Sequence, residues 1–105
     1  MRIYIAGPYT KGDVAENVRA AVFAADYVAR FGHTPFIPHL THFWHMLIPH
    51  PYGFWMDQDE QWLLVCDAVV RLEGESAGAD REVAKAIELG LPIYHSVFEV
   101  PKVTR

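Results

Sequence analysis

Ala68-Val69-Val70-Arg71-Leu72 runs through Glu73-Gly74-Glu75 into Ser76-Ala77-Gly78-Ala79-Asp80-Arg81-Glu82. The apolar run reads as a buried strand, short and rich in β-branched residues. The small residues after Glu73 read as a loop. A helix over roughly Ala79 to Leu89 follows, with Glu82 in its first turns and Gly90 placed to end it. Strand, loop and helix in that order form the repeating unit of a parallel sheet.

The flanking sequence repeats the unit. Residues 2–6 contain Ile3-Tyr4-Ile5-Ala6, a short apolar strand expected at the centre of the sheet and ended by Gly7-Pro8. Asp13 followed by Glu16 resembles a capping box. Val14, Val18, Ala21, Val22, Ala25, Val28 and Ala29 then recur at helical spacing, and Gly32 is placed to stop that helix. Thr34-Pro35-Phe36-Ile37 reads as a second strand, at an edge because of its proline. Residues 38–53 read as irregular. Residues 54–66 read as a helix with Trp55, Trp62, Leu63 and Cys66 facing inward, and residues 91–95 as a fourth strand. The tail from Ser96 is ambiguous and is a candidate for packing on a partner. Together these predict an α/β fold: one doubly wound domain over residues 1–105, flavodoxin- or Rossmann-like, with a parallel sheet of four or five strands. In such sheets ligands bind beyond the carboxyl ends of the strands, where the strand order reverses. The loops at Gly7-Pro8-Tyr9 and Glu73–Gly78 both belong there.

With 105 residues and 51% hydrophobic content, the chain can bury one core. A chain so short struggles to enclose a site alone. A homo-oligomer, dimer or higher, is therefore expected to complete it. The formal charge is −4, and no basic stripe is present, which argues against polymeric nucleic acid as a partner. The single cysteine, Cys66, sits in an apolar stretch, reads as a buried inert thiol and fits a cytoplasmic location. Residues 31–56 lack Asp, Glu, Lys and Arg, but Pro35, Pro38, Pro49, Pro51 and five histidines interrupt them, so no membrane span is expected.

Glu82 is the candidate nucleophile. A carboxylate can attack the anomeric carbon of a glycosyl group and form a covalent ester, and a nearby helix N-terminus would favour its ionised form. The competing reading is a surface Glu favoured by the helix dipole. Asp59 could orient the nucleophile or pass a proton to a departing base; alternatively, Asp57, Asp59 and Glu60 form a solvated face. Ser76 and Gly78 border the helix start, where a hydroxyl and free N–H groups suit a phosphate, or where Ser76 simply caps the helix. Gly7, Pro8, Tyr9, Thr10 and Lys11 form the opposing loop. Gly7 would allow close backbone approach, and Thr10 and Lys11 could donate hydrogen bonds. His39, His42, His45 and His50 do not share one helical face and have no cysteine nearby, so no metal site is expected. A lid of histidines and aromatic residues, or a subunit contact, fits that segment better. Phe54, Trp44 and Trp55 could stack on a base or belong to the core.

In order along the chain, Ile3-Tyr4-Ile5-Ala6-Gly7, Asp59-x-x-Trp62-Leu63, Cys66-Asp67-Ala68-Val69-Val70 and Ser76-x-Gly78-x-x-x-Glu82-x-x-x-Ala86 resemble the nucleoside 2-deoxyribosyltransferase-like superfamily. Within it, the sequence resembles the 2′-deoxynucleoside 5′-monophosphate N-glycosidases. The resemblance implies cleavage or exchange of an N-glycosidic bond on a nucleoside or nucleotide, with no cofactor. It implies Glu82 as nucleophile, Asp59 as its acidic assistant, Tyr4 as a hydroxyl beside the nucleophile, and Ser76 and Gly78 as a phosphate-facing loop. Where those hydrolases carry Ser and Arg after the first glycine, this chain reads Pro8-Tyr9-Thr10-Lys11. Two other functions fit the same residues: a non-catalytic nucleotide-binding or sensing module, and an NAD-cleaving enzyme.

Overall fold

The computed structural model describes residues 1–103. Four strands, β1 (Arg2–Ala6), β2 (Thr34–Phe36), β3 (Ala68–Arg71) and β4 (Ile93–Tyr94), form one sheet in the order β2-β1-β3-β4. Every pairing is parallel. The helices are α1 (Val14–Arg30), α2 (His42–Leu47), α3 (Tyr52–Leu63) and α4 (Ala77–Glu88), with short 3-10 turns at Pro38–Thr41 and Val97–Glu99. The fold is thus the doubly wound α/β domain expected from the alternating pattern, with four strands. Among the described residues no helix is long and apolar enough to cross a membrane.

Alternation along β1 sorts the interior into two cores. Ile3 and Ile5 pack with Ala21, Ala24, Ala25 and Val28 of α1, with Ala68 and Val70 of β3, and with Val100. Tyr4 and Ala6 face the opposite side, with Leu63, Cys66, Val69, Ala79 and Ala86. Successive strand residues point to opposite faces, so one five-residue strand serves both layers. Each fully buried Ile contributes about 1.5–3 kcal/mol of hydrophobic stabilisation. The alanines of α1 carry little volume, which lets the helix lie close to the sheet.

Local signals account for the helix ends. The Asp13 carboxylate accepts the Glu16 N–H at 3.1 Å and starts α1. Gly32, at φ +93°, ends it, because the bonds from Gly32 N to Ala29 O and from His33 N to Val28 O need a left-handed residue there. Gly90, at φ +76°, closes α4 by the same pair of bonds, to Ile87 and Ala86.

Two expectations need correction. Residues 38–53 are not irregular throughout, since they hold a 3-10 turn, all of α2 and the start of α3. Trp62 does not face inward; it is exposed and stacks on Phe36, with ring centroids 5.1 Å apart. Its place is taken by Met56 and Leu63, the buried apolar residues of α3. The tail after Ser96 packs in part on its own domain, while Phe98 stays exposed. Val97 and Val100 pack into the α1 core, and Val103 N donates to Phe31 O at 2.9 Å.

Candidate active site

β1 and β3 are neighbours at the point where strand order changes direction, and their outgoing loops face each other there. The loops border a cavity of about 580 Å³, a size suited to a small molecule. Gly7, Tyr9, Lys11, Asp59, Ser76, Gly78 and Glu82 all line it. Tyr4 stands behind the wall, fully buried, and its hydroxyl donates to the Glu82 carboxylate. Pro8 is not part of the lining. It packs on Gly74, where an added Cβ would come within 2.7 Å of Pro8 Cγ. Gly7 makes its close approach to Leu72 rather than facing open space, since a Cβ there would sit 3.1 Å from Leu72 Cβ.

Protein hydrogen bonds fix both loops. The Asn17 side-chain amide donates to Tyr9 O at 2.9 Å and to Lys11 O at 2.8 Å, pinning the first loop to α1. The Tyr9 hydroxyl bonds to His42 Nδ1, tying the same loop to α2. Ser76 caps α4, accepting the Ala79 N–H at 3.0 Å, so the helix begins at Ala77 rather than Ala79. A capping hydroxyl keeps its own proton to donate. Lys11 reaches across the mouth to Glu75, 3.4 Å away.

Glu82 is the sixth residue of α4, too deep in the helix for its N-terminus to hold the carboxylate charged, because that effect fades within the first turn. Burial dominates instead and pushes Glu82 up to about 8; a charged Asp59 adds to the rise, while the Tyr4 hydroxyl, Arg71 and Arg81 oppose it. Burial also lifts Asp59 to about 7. Its Oδ1 is buried and finds no hydrogen-bond partner among the described residues. The solvated-face reading of Asp59 therefore fails, although Asp57 is exposed. Tyr4 is held far above the ordinary phenol range, first by burial and then by the charges of Glu82 and Asp59. It is a permanent donor at any working pH.

The sequence singled out no role for Asn17, which pins the first loop. The histidine and aromatic segment contributes His39, His45, His50 and Trp55 to the lining. His39 is buried, donates from Nε2 to Pro8 O at 3.0 Å, and leaves Nδ1 without a partner among the described residues. Burial lowers its pKa and so favours the neutral ring, against the opposing hydrogen bonds to backbone. His45 Nδ1 accepts from Trp55 Nε1 at 2.8 Å and from His50 N at 3.3 Å, and all three residues line the cavity. The His39, His42 and His45 rings thus each bond to protein groups. Among the described residues no cluster of His, Cys, Asp or Glu is arranged to hold a metal ion. Phe54 stacks on His50 at 3.9 Å and Trp44 meets Trp55 edge-on at 4.9 Å, so the aromatic residues form a nest beside the cavity.

Residues 1–96 match a family described as a domain of unknown function (DUF7768). No curated protein matches the chain. Among solved structures, the chain is similar to a 2-deoxyribosyltransferase from Bacillus psychrosaccharolyticus. The TM-score is 0.67 and the identity 20%, over 89% of this chain and 69% of that one. At that identity the likeness establishes the fold, which is nucleoside 2-deoxyribosyltransferase-like.

Proposed function

The chain belongs to the DUF7768 family, and we propose that it is an enzyme that breaks, or exchanges, the N-glycosidic bond of a nucleoside through a covalent ester on Glu82. One observation carries this reading. Glu82 and Asp59, two carboxyl groups raised by burial, line the same cavity, and a fully buried tyrosine hydroxyl is bonded to Glu82. A merely structural pair of carboxyls would be expected to be neutralised by partners. The similarity to a 2-deoxyribosyltransferase agrees with the choice of chemistry.

The partners assign the roles. Tyr4, Arg71 and Arg81 all favour negative charge on Glu82, whereas burial alone acts on Asp59. When Asp59 holds a proton, its push on Glu82 disappears. Attack requires the charge on Glu82 and the proton on Asp59; these partners favour that arrangement, while the values of about 8 and about 7 place the proton more often on Glu82, so the reactive form is the minority one of the singly protonated pair. Glu82 attacks C1′; the C1′–N bond breaks, its electrons pass to the base, and Asp59 protonates the base nitrogen. Water, or a second base, then attacks C1′, the ester bond breaks, and Glu82 leaves as carboxylate. Asp59, now ionised, takes the proton of the attacking group.

The charge of the lining favours a substrate without a phosphate. Asp59, Glu75 and Glu82 supply three carboxyl groups against Lys11, which is already paired with Glu75. A dianionic phosphate would meet net negative surroundings.

Mass spectrometry of protein quenched during incubation with deoxynucleosides and their 5′-monophosphates is the test. The expected result is a glycosyl adduct from the nucleosides, absent in Glu82→Gln. Turnover unchanged in that variant rejects the reading. Tight binding without base release would assign a binding module instead, and nicotinamide released from NAD would assign the NAD-cleaving activity.

A further inference from the structure

Arg71 ends β3 and is nearly buried, with 12% of its side chain exposed. Its guanidinium makes three hydrogen bonds, to the loop that follows and to the helix after it. Nη1 donates to Leu72 O; Nη2 donates to Gly74 O at 2.9 Å and to Asp80 Oδ1 at 3.1 Å. One side chain thus bonds to two carbonyls of the β3–α4 loop and to the first turn of α4. Gly74, at the far end of that clamp, has φ +112° and packs on Pro8 of the opposing loop. The distance between the two loops therefore depends on where Gly74 is held. Glu75, Ser76 and Gly78, which follow Gly74, form one wall of the cavity.

We propose that Arg71 is a positioning residue for this site: its forked guanidinium clamps the β3–α4 loop against the β1–α1 loop. Its positive charge also favours the ionised form of Glu82. The functional consequence rests on the glycosyl-transfer reading; the clamp and the charge effect do not. Fork and charge are separable. Lysine keeps the charge, but a single ammonium cannot reproduce a planar guanidinium bonded to two carbonyls and a carboxylate. Methionine keeps much of the stem and loses both. Besides burial, the groups that act on the titration of Glu82 are Tyr4, Asp59, Arg71 and Arg81. Arg81 is unchanged in every variant below, so a shift in Glu82 reports on Arg71.

Backbone ¹⁵N relaxation and a ¹³C-carboxyl titration of Glu82, recorded on the full chain for the wild type, Arg71→Lys and Arg71→Met, test both parts. In the wild type, Gly74 and Glu75 should show order parameters near the rigid value of about 0.85, and in both variants these should drop below about 0.6. The Glu82 midpoint should rise in Arg71→Met and hold in Arg71→Lys. Asp80→Asn, a change at an exposed carboxylate, removes one anchor without touching the buried stem. It should loosen the same loop less, which keeps the test open if Arg71→Met fails to fold. A loop that stays rigid in Arg71→Lys and Asp80→Asn overturns the clamp. A Glu82 midpoint that falls equally in Lys and Met, or does not move in Met, overturns the charge effect. If base release is observed, Arg71→Lys should raise KM by about tenfold, the equivalent of one charge-assisted hydrogen bond, with kcat nearly kept, and Arg71→Met should lower kcat as well. If no variant or wild-type protein releases base, the glycosyl reading fails while the relaxation and titration results still decide the role of Arg71.

Discussion

Ile5 and Tyr4 are adjacent in β1 and equally inaccessible to solvent, yet they belong to opposite kinds of interior. Ile5 points into the α1 side, where every buried neighbour in the cluster is an aliphatic side chain. Tyr4 points to the α3 and α4 side, where its hydroxyl meets the Glu82 carboxyl and Asp59 lies close enough to raise its pKa. The α1 side gains stability from burial alone. On the other side, two carboxyls are held out of water at a cost, and that cost leaves them able to exchange protons near neutral pH.

The sharpest way to break this comparison is Glu82→Gln. Turnover should fall by at least about 10³-fold, because amide cannot replace carboxylate as nucleophile. Stability should move the other way. The unfolded chain releases the Glu82 proton near 4.5, the folded protein near 8. Between those values the unfolded state binds fewer protons, so stability falls as pH rises through the window. Glutamine escapes that loss while still accepting the Tyr4 hydrogen bond. Denaturant unfolding should find the variant more stable by roughly 4 kcal/mol at pH 7.5 and little different at pH 4. A variant less stable than wild type at pH 7.5 would show that the charge is well compensated.

Asp59→Asn comes next. Losing the proton donor should lower kcat by about 10²–10³-fold, and least for substrates whose leaving base needs no protonation. The pH–rate profile should also lose its fall at high pH, the limb on which Asp59 gives up its proton. An unchanged alkaline limb would remove Asp59 from the mechanism. On the other face, Ile5→Ala should cost about 2–5 kcal/mol of stability, through lost burial and a cavity beneath α1. Its kcat, measured well below the melting temperature, should stay near wild type. A large kcat loss there would mean the two faces are mechanically coupled through β1.

The dry face was the easier one to read from sequence, for a physical reason. Its residues obey a single rule, apolar at helical or strand spacing, and α1, β1 and β3 follow it from Asp13 to Gly32 and across Ile3–Ala6 and Ala68–Val70. Glu82, Asp59 and Tyr4 were legible as a group through the family resemblance, whereas spacing alone left Glu82 and Asp59 looking like surface carboxyls. The α3 helix shows why. Its inward side mixes Met56 and Leu63 with the partly buried Asp59, so a buried charge interrupts the apolar stripe and Trp62 was assigned inside in its place. Helix α2 was missed because no side chain caps its start and the charge-free stretch around it offered no boundary signal. Asn17 and Arg71, which hold the two loops, act through backbone carbonyls and leave no pattern that spacing can reveal.

Tyr4→Phe is the smallest change and the one that isolates a single bond. Phenylalanine fills the same volume between Phe36 and Val69, so packing on the sheet is kept. What is lost is a donor that favours charge on Glu82. Glu82 already stands near 8, and without the hydroxyl it should titrate higher still. Since attack needs the carboxylate, the rising acid limb of the pH–rate profile should move to higher pH, and kcat at pH 7 should drop by about tenfold, the scale of one hydrogen bond to a charged group. Raising the pH should recover part of that loss. Recovery would show that the tyrosine acts through the charge of its neighbour. A uniform loss at every pH would mean instead that the hydroxyl orients the carboxylate, and no loss at all would place Tyr4 with Ile5 as an ordinary core residue.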